Sequence, residues 1–311
     1  MSININGANN QKPAAPTQAP KAVAPVAKPA ATMAADSYQS TDVKVITFNT
    51  AIGNRAIKTD QKDFTKLPFY QAVINGEANA PILCLQEVGN AQRDLVKQLA
   101  ASGNFHVYSQ KVGLVGRQNN MVLIPKRYQV VEHENNKYDL NHLKAAAGKV
   151  WGWVKSFGKE KINWGQTVEP RGYQKVLLKD TLTNKQLTVF NTHMSYYDEI
   201  KVAHGKELFK AAEAAKKNGP VIVAGDLNTR TADTDPGDPF NAQVRGMFGD
   251  LKDMGPQGKP PSKTNIDWVL ADGFESVSSK WYTGDSISLP GSPDALTVSD
   301  HYAEEDVLRY K

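Results

Sequence analysis

From residue 43 onward, short apolar runs alternate with polar punctuation. VKVITFN (43–49) is rich in β-branched residues and predicts a strand. PILCLQE (81–87) predicts another, preceded by a helix over roughly 62–76. NMVLIP (120–125) and YQVVEHE (128–134) predict a strand pair. YQKVLLKD (173–180) and KQLTVFNTH (185–193) flank Thr183 and Asn184, which predict a hairpin turn. Residues 199–217 carry Ile200, Ala203, Leu208, Ala211, Ala212 and Ala215 at helical spacing, and Asn218-Gly219-Pro220 terminates that helix. VIVAGD (221–226), NIDWVL (265–270), VSSKWY (277–282) and EDVLRY (305–310) predict further strands. No internal repeat is visible. Strands with intervening helices predict a sheet-based core with helices outside.

Residues 1–40 break the pattern. They hold Pro13, Pro16, Pro20, Pro25 and Pro29, many alanines and one aromatic residue, Tyr38. Such a segment cannot bury enough apolar surface to offset chain entropy, so a disordered Ala/Pro-rich tail is expected, followed by a folded domain over 41–311. The 311-residue chain has a formal net charge of +5, of which the tail carries +2. The remainder is only mildly basic and does not by itself establish a nucleic-acid partner. No apolar stretch is long enough to span a bilayer, and the N-terminus lacks the continuous apolar core of a Sec-type signal peptide. The single cysteine, Cys84, lies in the apolar run ILCLQ, so no internal disulfide can form and a buried, inert thiol is expected. A cytoplasmic protein fits, and so does an effector exported by a dedicated secretion system with the tail as its signal. The domain is expected to act as a monomer.

The polar residues at the predicted strand ends carry the chemistry. Asn49 ends the first strand and Glu87 the second. Asn191 and His193 end a later one, and Asp226 and Asn228 the next. Asp267 lies at the start of IDWVL, and Asp300-His301 precedes the last strand. In VIVAGDLNTR (221–230), Gly, Asp and Asn could form a simple chain reversal, and each residue singly has such a structural reading. Jointly they are rich in carboxylates, amides and histidines and contain no cysteine. Hard oxygen donors of this kind suit Mg²⁺, with Mn²⁺ or Ca²⁺ as alternatives, rather than structural zinc. Phosphate-ester hydrolysis needs such a set. A metal neutralises charge on phosphorus and the leaving oxygen, a carboxylate such as Asp226 handles the attacking water, and amides fix the geometry.

FN (48–49), LQEV (85–88), NTH (191–193), GDLN (225–228), IDWV (266–269) and SDH (299–301) occur in this order. Together they resemble the endonuclease/exonuclease/phosphatase superfamily, over about residues 43–310. That superfamily includes pancreatic-type deoxyribonucleases, abasic-site endonucleases, inositol polyphosphate 5-phosphatases and neutral sphingomyelinases. The resemblance implies an α/β fold, a four-layer sandwich of two mixed β-sheets flanked by helices, with the site at one end. It implies Glu87 as the main Mg²⁺ ligand, with Asn49 beside it and Asp300 touching the metal site. Asp226 would position or activate the water and Asn228 would orient it. His193 would contact the phosphate, Asp267 would pair with His301, and Arg171 in PRGYQ would bind phosphate. Two departures matter. Ala51 stands where some nucleases of the family carry an acid, and Asn265-Ile266-Asp267-Trp268 replaces the Trp-Cys-Asp-Arg of the 5-phosphatases. Arg230 after GDLN nonetheless resembles the arginine found there in the 5-phosphatases.

Three functions follow as expectations. The first is a metal-dependent nuclease acting on nucleic acid. The second is a phosphatase or phosphodiesterase of an inositol phosphate or anionic lipid, a phosphoinositide phosphatase or a sphingomyelinase-like enzyme. For it, residues 137–161 offer six lysines against Asp139 and Glu160. Leu140, Leu143, Ala147, Val150, Trp151, Val154 and Phe157 follow helical spacing there. The same helix, over 139–157, could instead pack on its own domain with its lysines in water. The third is a pseudoenzyme that binds phosphate ligands without cleaving them.

Overall fold

Among the described residues, twelve strands fall into two six-stranded sheets, and the alternation of each strand says which side faces which. The structure is a computed structural model. It describes residues 41–51, 67–101, 103–112, 118–139, 170–230, 237–256, 265–282, 299 and 301–311. These residues belong to one compact unit, Tyr38–Lys311. The expected tail over 1–40 and nearly all of the expected helix over 139–157 lie outside them. Among the described residues no helix is long and apolar enough to cross a membrane.

The strands are β1 (Val43–Asn49), β2 (Ile82–Gly89), β3 (Phe105–Val112), β4 (Gln118–Pro125), β5 (Tyr128–Lys137) and β6 (Gly172–Asp180), followed by β7 (Gln186–His193), β8 (Val221–Asp226), β9 (Lys252–Asp253), β10 (Asp267–Asp272), β11 (Phe274–Tyr282) and β12 (Ala303–Tyr310). One sheet runs β11-β12-β1-β2-β4-β3 and the other β5-β6-β7-β8-β10-β9. Each is built around one parallel pair, β1 with β2 and β7 with β8, flanked by antiparallel neighbours.

Three apolar clusters define four layers. Val43, Val45, Cys84, Val122, Val176, Val189, Ile222, Val269 and Leu308 meet between the sheets. Helices α1 (Pro68–Ile74) and α2 (Asn90–Ala100) lie on the outer side of the first sheet, where Ile46, Phe48, Leu83, Leu85 and Leu123 face Phe69, Tyr70, Val73 and Val96. Helices α3 (Asp198–Ala215) and α4 (Pro239–Met247) cover the second sheet through Leu208, Ala212, Val244 and Phe248. The architecture is therefore the expected α/β four-layer sandwich of two mixed sheets. Cys84 is fully buried between the sheets, and burial pushes its thiol pKa up, as expected of an inert thiol.

Local chemistry fixes the elements. Asp238 caps α4, its Oδ1 accepting from the N–H groups of Phe240 and Asn241 at 2.8 and 2.9 Å, with Pro239 at the first helical position. Asn184, at φ 61°, closes the β6–β7 hairpin as expected. The segments 120–125 and 128–134 do not form the expected pair. β4 pairs with β2 and β3, whereas β5 pairs with β6 in the other sheet. The two residues between them turn a corner rather than a hairpin. Arg127 holds that corner, bonding both oxygens of Asp180 at 3.0 and 2.7 Å and the carbonyls of Thr41 and Asp42. α2, β3, α4 and the two-residue β9 had no clear sequence signal. Only Val96 of α2 is buried, β3 is an edge strand, and α4 is a short capped helix.

Candidate active site

The alternation that makes the core continues into polar residues at one end of the strands. Val43, Val45, Thr47 and Asn49 follow one another on a single face of β1. Leu187, Val189, Asn191 and His193 do the same on β7, Ile222, Ala224 and Asp226 on β8, and Ala271, Val269 and Asp267 on β10. The apolar members of these series lie between the sheets. Asn49, His193, Asp226 and Asp267 therefore form the last layer of the sandwich interior. Both parallel pairs end here, which is where ligands gather in such sheets.

Glu87 reaches the layer by a different device. The β2–β4 register shifts between Leu85 and Val88, a bulge, and Glu87 has φ 53°. Bulges re-aim side chains beside active sites. Among the described residues, four non-glycine residues have positive φ: Ala51, Glu87, Asn228 and the turn residue Asn184. The first three border this site, so the backbone strain concentrates there. Gly225 is required as well. At φ 147° it lies so close to β7 that a β-carbon would sit 2.1 Å from the Thr192 carbonyl oxygen.

The side chains form one connected array. Asn49 Nδ2 donates to Asp226 Oδ2 at 2.9 Å, and Asn49 Oδ1 accepts from the Ala51 N–H. The Asn228 N–H donates to Asp226 Oδ1 at 2.8 Å, and Asn228 Nδ2 donates to the Met194 carbonyl at 3.0 Å. His193 Nε2 lies 3.4 Å from Asp226 Oδ2 and 3.8 Å from Glu87 Oε1. Arg171 is buried beside it, with Nη1 2.9 Å from His193 Nε2. His301 Nδ1 and Asp267 Oδ2 are 2.6 Å apart. Ser299 supports that pair, donating to the Asn49 carbonyl at 2.6 Å and accepting from the His301 N–H. Of the residues expected from the sequence, Asn49, Glu87, Arg171, His193, Asp226, Asn228, Asp267 and His301 are thus brought together. Asp300 lies outside the described residues.

Electrostatics separates the roles. Burial pushes the His193 pKa well down, and the charges of Arg171, His301 and His204 push the same way. His193 is therefore a neutral imidazole, and its approach to Asp226 and Glu87 is no ion pair. Burial, followed by the like charge of Asp267, pushes the Asp226 carboxyl up to about 7, against the opposing effects of His301, Asn49 and the Asn228 N–H. A buried acid poised there suits proton transfer near neutral pH.

The donor set fits a hard divalent cation. Asp226, Asp267 and His301 bring one ligand atom each within 4.8 Å of one another. Because His301 and Asp267 already bond each other, the free capacity lies elsewhere. Among the described residues Asp267 Oδ1 is buried without a hydrogen-bond partner, and Asn49 Oδ1 has a second lone pair. Glu87 stands across His193, with Gln118 Nε2 3.4 Å from its Oε2. The donors are oxygens and imidazole, with Cys84 remote in the core.

Three residues gave a misleading signal, none, or only a faint one. Asn191, expected among the strand-end ligands, lies one pleat deeper. Its Oδ1 accepts from Gln86 Nε2 at 2.7 Å, and its Nδ2 donates to the Leu85 and Met121 carbonyls and to Gln174 Oε1. It joins the sheets and holds their register beneath the site. Gln118 beside Glu87 had no recognisable pattern. Lys201 did leave a trace, as a charged residue in the apolar stripe of α3.

A family model described as the Endonuclease/Exonuclease/phosphatase family matches residues 1–301. No curated protein matches the chain by sequence. Solved structures share the fold at low identity. An endonuclease/exonuclease/phosphatase from Bacteroides vulgatus superposes with a TM-score of 0.62 at 15% identity, covering 87% of this chain and 100% of that one. The human Nocturnin catalytic domain with bound sulfate gives 0.60 at 16%, covering 88% and 95%. D. rerio TDP2 complexed with a single-strand DNA product gives 0.59 at 14%, covering 86% and 99%.

Proposed function

This chain belongs to the endonuclease/exonuclease/phosphatase family, and on that premise we propose that it is a divalent-metal-dependent phosphoesterase that cleaves nucleic-acid phosphodiesters. The observation that carries the reading is the single array of Asn49, Glu87, His193, Asp226, Asn228, Asp267 and His301, with Arg171 against it. Arg171 and the neutral His193 offer N–H donors to the non-bridging oxygens of a phosphate. Asp226, when ionised, accepts a proton from water as the water oxygen bonds phosphorus and the bond to the leaving alkoxide breaks. Asn228 holds that carboxylate through its backbone N–H. Asp267 fixes the orientation of the His301 ring. A divalent ion held by Glu87 and Asn49, with Asp300 as a further ligand, would neutralise charge on the phosphate and the leaving oxygen.

The similarly folded D. rerio TDP2 is complexed with a single-strand DNA product, which supports nucleic acid as substrate. The lysines of 137–161 support a second reading, an anionic lipid or inositol phosphate. A substrate panel decides between them: plasmid DNA, RNA, phosphoinositides and sphingomyelin, each with Mg²⁺ and with EDTA. Cleavage of DNA or RNA in Mg²⁺ and none in EDTA is expected. Hydrolysis of lipid alone would replace the nuclease reading with the second. Full activity after exhaustive chelation would overturn the metal dependence.

A further inference from the structure

The proposed chemistry depends on Asn228, which stands on a three-residue turn in the left-handed region. What holds that turn is a lysine buried in the second sheet's outer layer. Lys201 lies in the first turns of α3 and is only 4% exposed. Its neighbours at helical spacing, His204, Leu208, Ala212 and Ala215, are buried against the sheet. A lysine in such a stripe is rare, because burying an ammonium is costly unless its donors are satisfied. Here all three are engaged. Nζ donates to the Asn228 carbonyl at 2.9 Å and to Asn241 Oδ1 of α4 at 2.8 Å, and lies 3.2 Å from Asp198 Oδ1. Three segments therefore meet on one ammonium: the start of α3, α4 and the turn after β8.

The turn is gripped at each of its three residues. The Leu227 N–H donates to the Ile266 carbonyl, and the Thr229 hydroxyl donates to the Leu227 carbonyl. Trp268 Nε1 donates to the Thr229 carbonyl at 2.6 Å. Lys201 and Trp268 thus hold consecutive carbonyls from different sides. With the Asn228 carbonyl fixed, its N–H is aimed at Asp226 and its amide at Met194. That carbonyl belongs to the peptide after Asn228 and the N–H to the peptide before it, so removing Lys201 releases the C-terminal anchor of the residue whose N–H and side-chain amide set both directions.

We propose that Lys201 is a positioning residue for phosphoester hydrolysis, holding the Asn228 peptide so that Asp226 faces the attacking water. This rests on the functional reading above. Lys201 acts by geometry, since its ammonium bonds the Asn228 carbonyl, Asn241 and Asp198 rather than Asp226 itself.

The test compares wild type, Lys201→Met and Lys201→Gln on the substrate that wild type cleaves, together with amide hydrogen exchange at residues 227–229. Lys201→Met should lower kcat by roughly ten- to a hundredfold, the scale of a misplaced catalytic group. Its KM should stay within about twofold, and its pH–rate inflection should stay where wild type has it. Lys201→Gln, which keeps two N–H donors, should recover part of kcat. Exchange at Asn228 should quicken in the Met variant. An unchanged kcat, a moved pH inflection or a loss confined to KM overturns the proposal. If Lys201→Met does not fold, the Gln variant decides, and its unfolding or wild-type kcat overturns the proposal equally. A wild type inactive on every phosphoester defeats the functional reading before any variant is compared. Exchange at Asn228 then still reports whether Lys201 holds the turn.

Discussion

Asp226 and Asp267 at the mouth of the sandwich, and Glu304 and Asp306 on β12, are equally buried acids in opposite surroundings. All four face inward. Glu304 and Asp306 stand opposite Thr47 and Val45 of β1, so they share the inter-sheet face of that strand. At the mouth, Asp226 receives Asn49 Nδ2 and the Asn228 N–H, and Asp267 is bonded to His301. On β12 the support among the described residues is sparse: the Val269 N–H beside Glu304, and Glu304 itself beside Asp306. The two acids face Asp253 instead: a β-carbon on Gly255 would lie 2.7 Å from Glu304 Oε1 and 3.1 Å from Asp253 Oδ1. Burial first, and neighbouring acids second, push both carboxyls well above the usual range. The fold therefore answers the same problem in two ways. At the mouth, hydrogen-bond donors offset part of the cost of burying the acid. On β12, with few donors and acidic neighbours, burial favours the protonated acid.

Breaking the catalytic side should have the largest effect. Glu87→Gln or Asp226→Ala should lower kcat by at least about a hundredfold, with the melting temperature nearly unchanged. Steady-state kinetics beside thermal melts checks this, and a near-full rate in either variant would show that the charged cluster is structural, like its counterpart on β12.

The pH profile should come next in size. Asp226 must lose its proton to act as base, and its carboxyl is raised to about 7. With saturating Mg²⁺, kcat/KM should climb by about tenfold per pH unit on the acid side and level off at or below that value, since a nearby cation favours the ionised form. A flat profile between pH 5 and 8 would remove Asp226 from that role.

The smallest effect should come from the β12 pair. Their folded-state pKa values exceed the unfolded ones, so their contribution to stability is full at acid pH and is lost as pH rises through the raised values. Wild type should melt at lower temperature at pH 9 than at pH 6. Glu304→Gln with Asp306→Asn should flatten that dependence and raise the pH 9 melting temperature, at about 2–4 °C per kcal/mol gained for a domain of this size. A steeper dependence in the double variant would mean that the pair is ionised and paired after all.

Much of the site was legible because alternation is local. Val43-Lys44-Val45-Ile46-Thr47-Phe48-Asn49 already places Asn49 on one face with Val43, Val45 and Thr47. The turn residues of GDLN and the helix stop at Asn218-Gly219-Pro220 were equally local. Misreadings arose where a partner far along the chain decides. Nothing in 120–134 says that two adjacent strands enter different sheets, because Arg127 makes that choice through Asp180 and Thr41. Nor does NTH say that Asn191 bonds Gln86 while His193, on the same face, opens onto the site.

The sequence by itself determined the strands, the order of the motifs and the residue types that phosphoester chemistry needs, since periodicity and turn chemistry act over a few residues. Only the tertiary structure decided which carboxylates found several donors and which found few. It alone carried Glu87 to the site on a bulge and set Lys201 beneath Asn228. Those outcomes depend on contacts between residues tens to hundreds of positions apart, such as Asn49 with Asp226. They are fixed by the packing of two sheets rather than by any local preference.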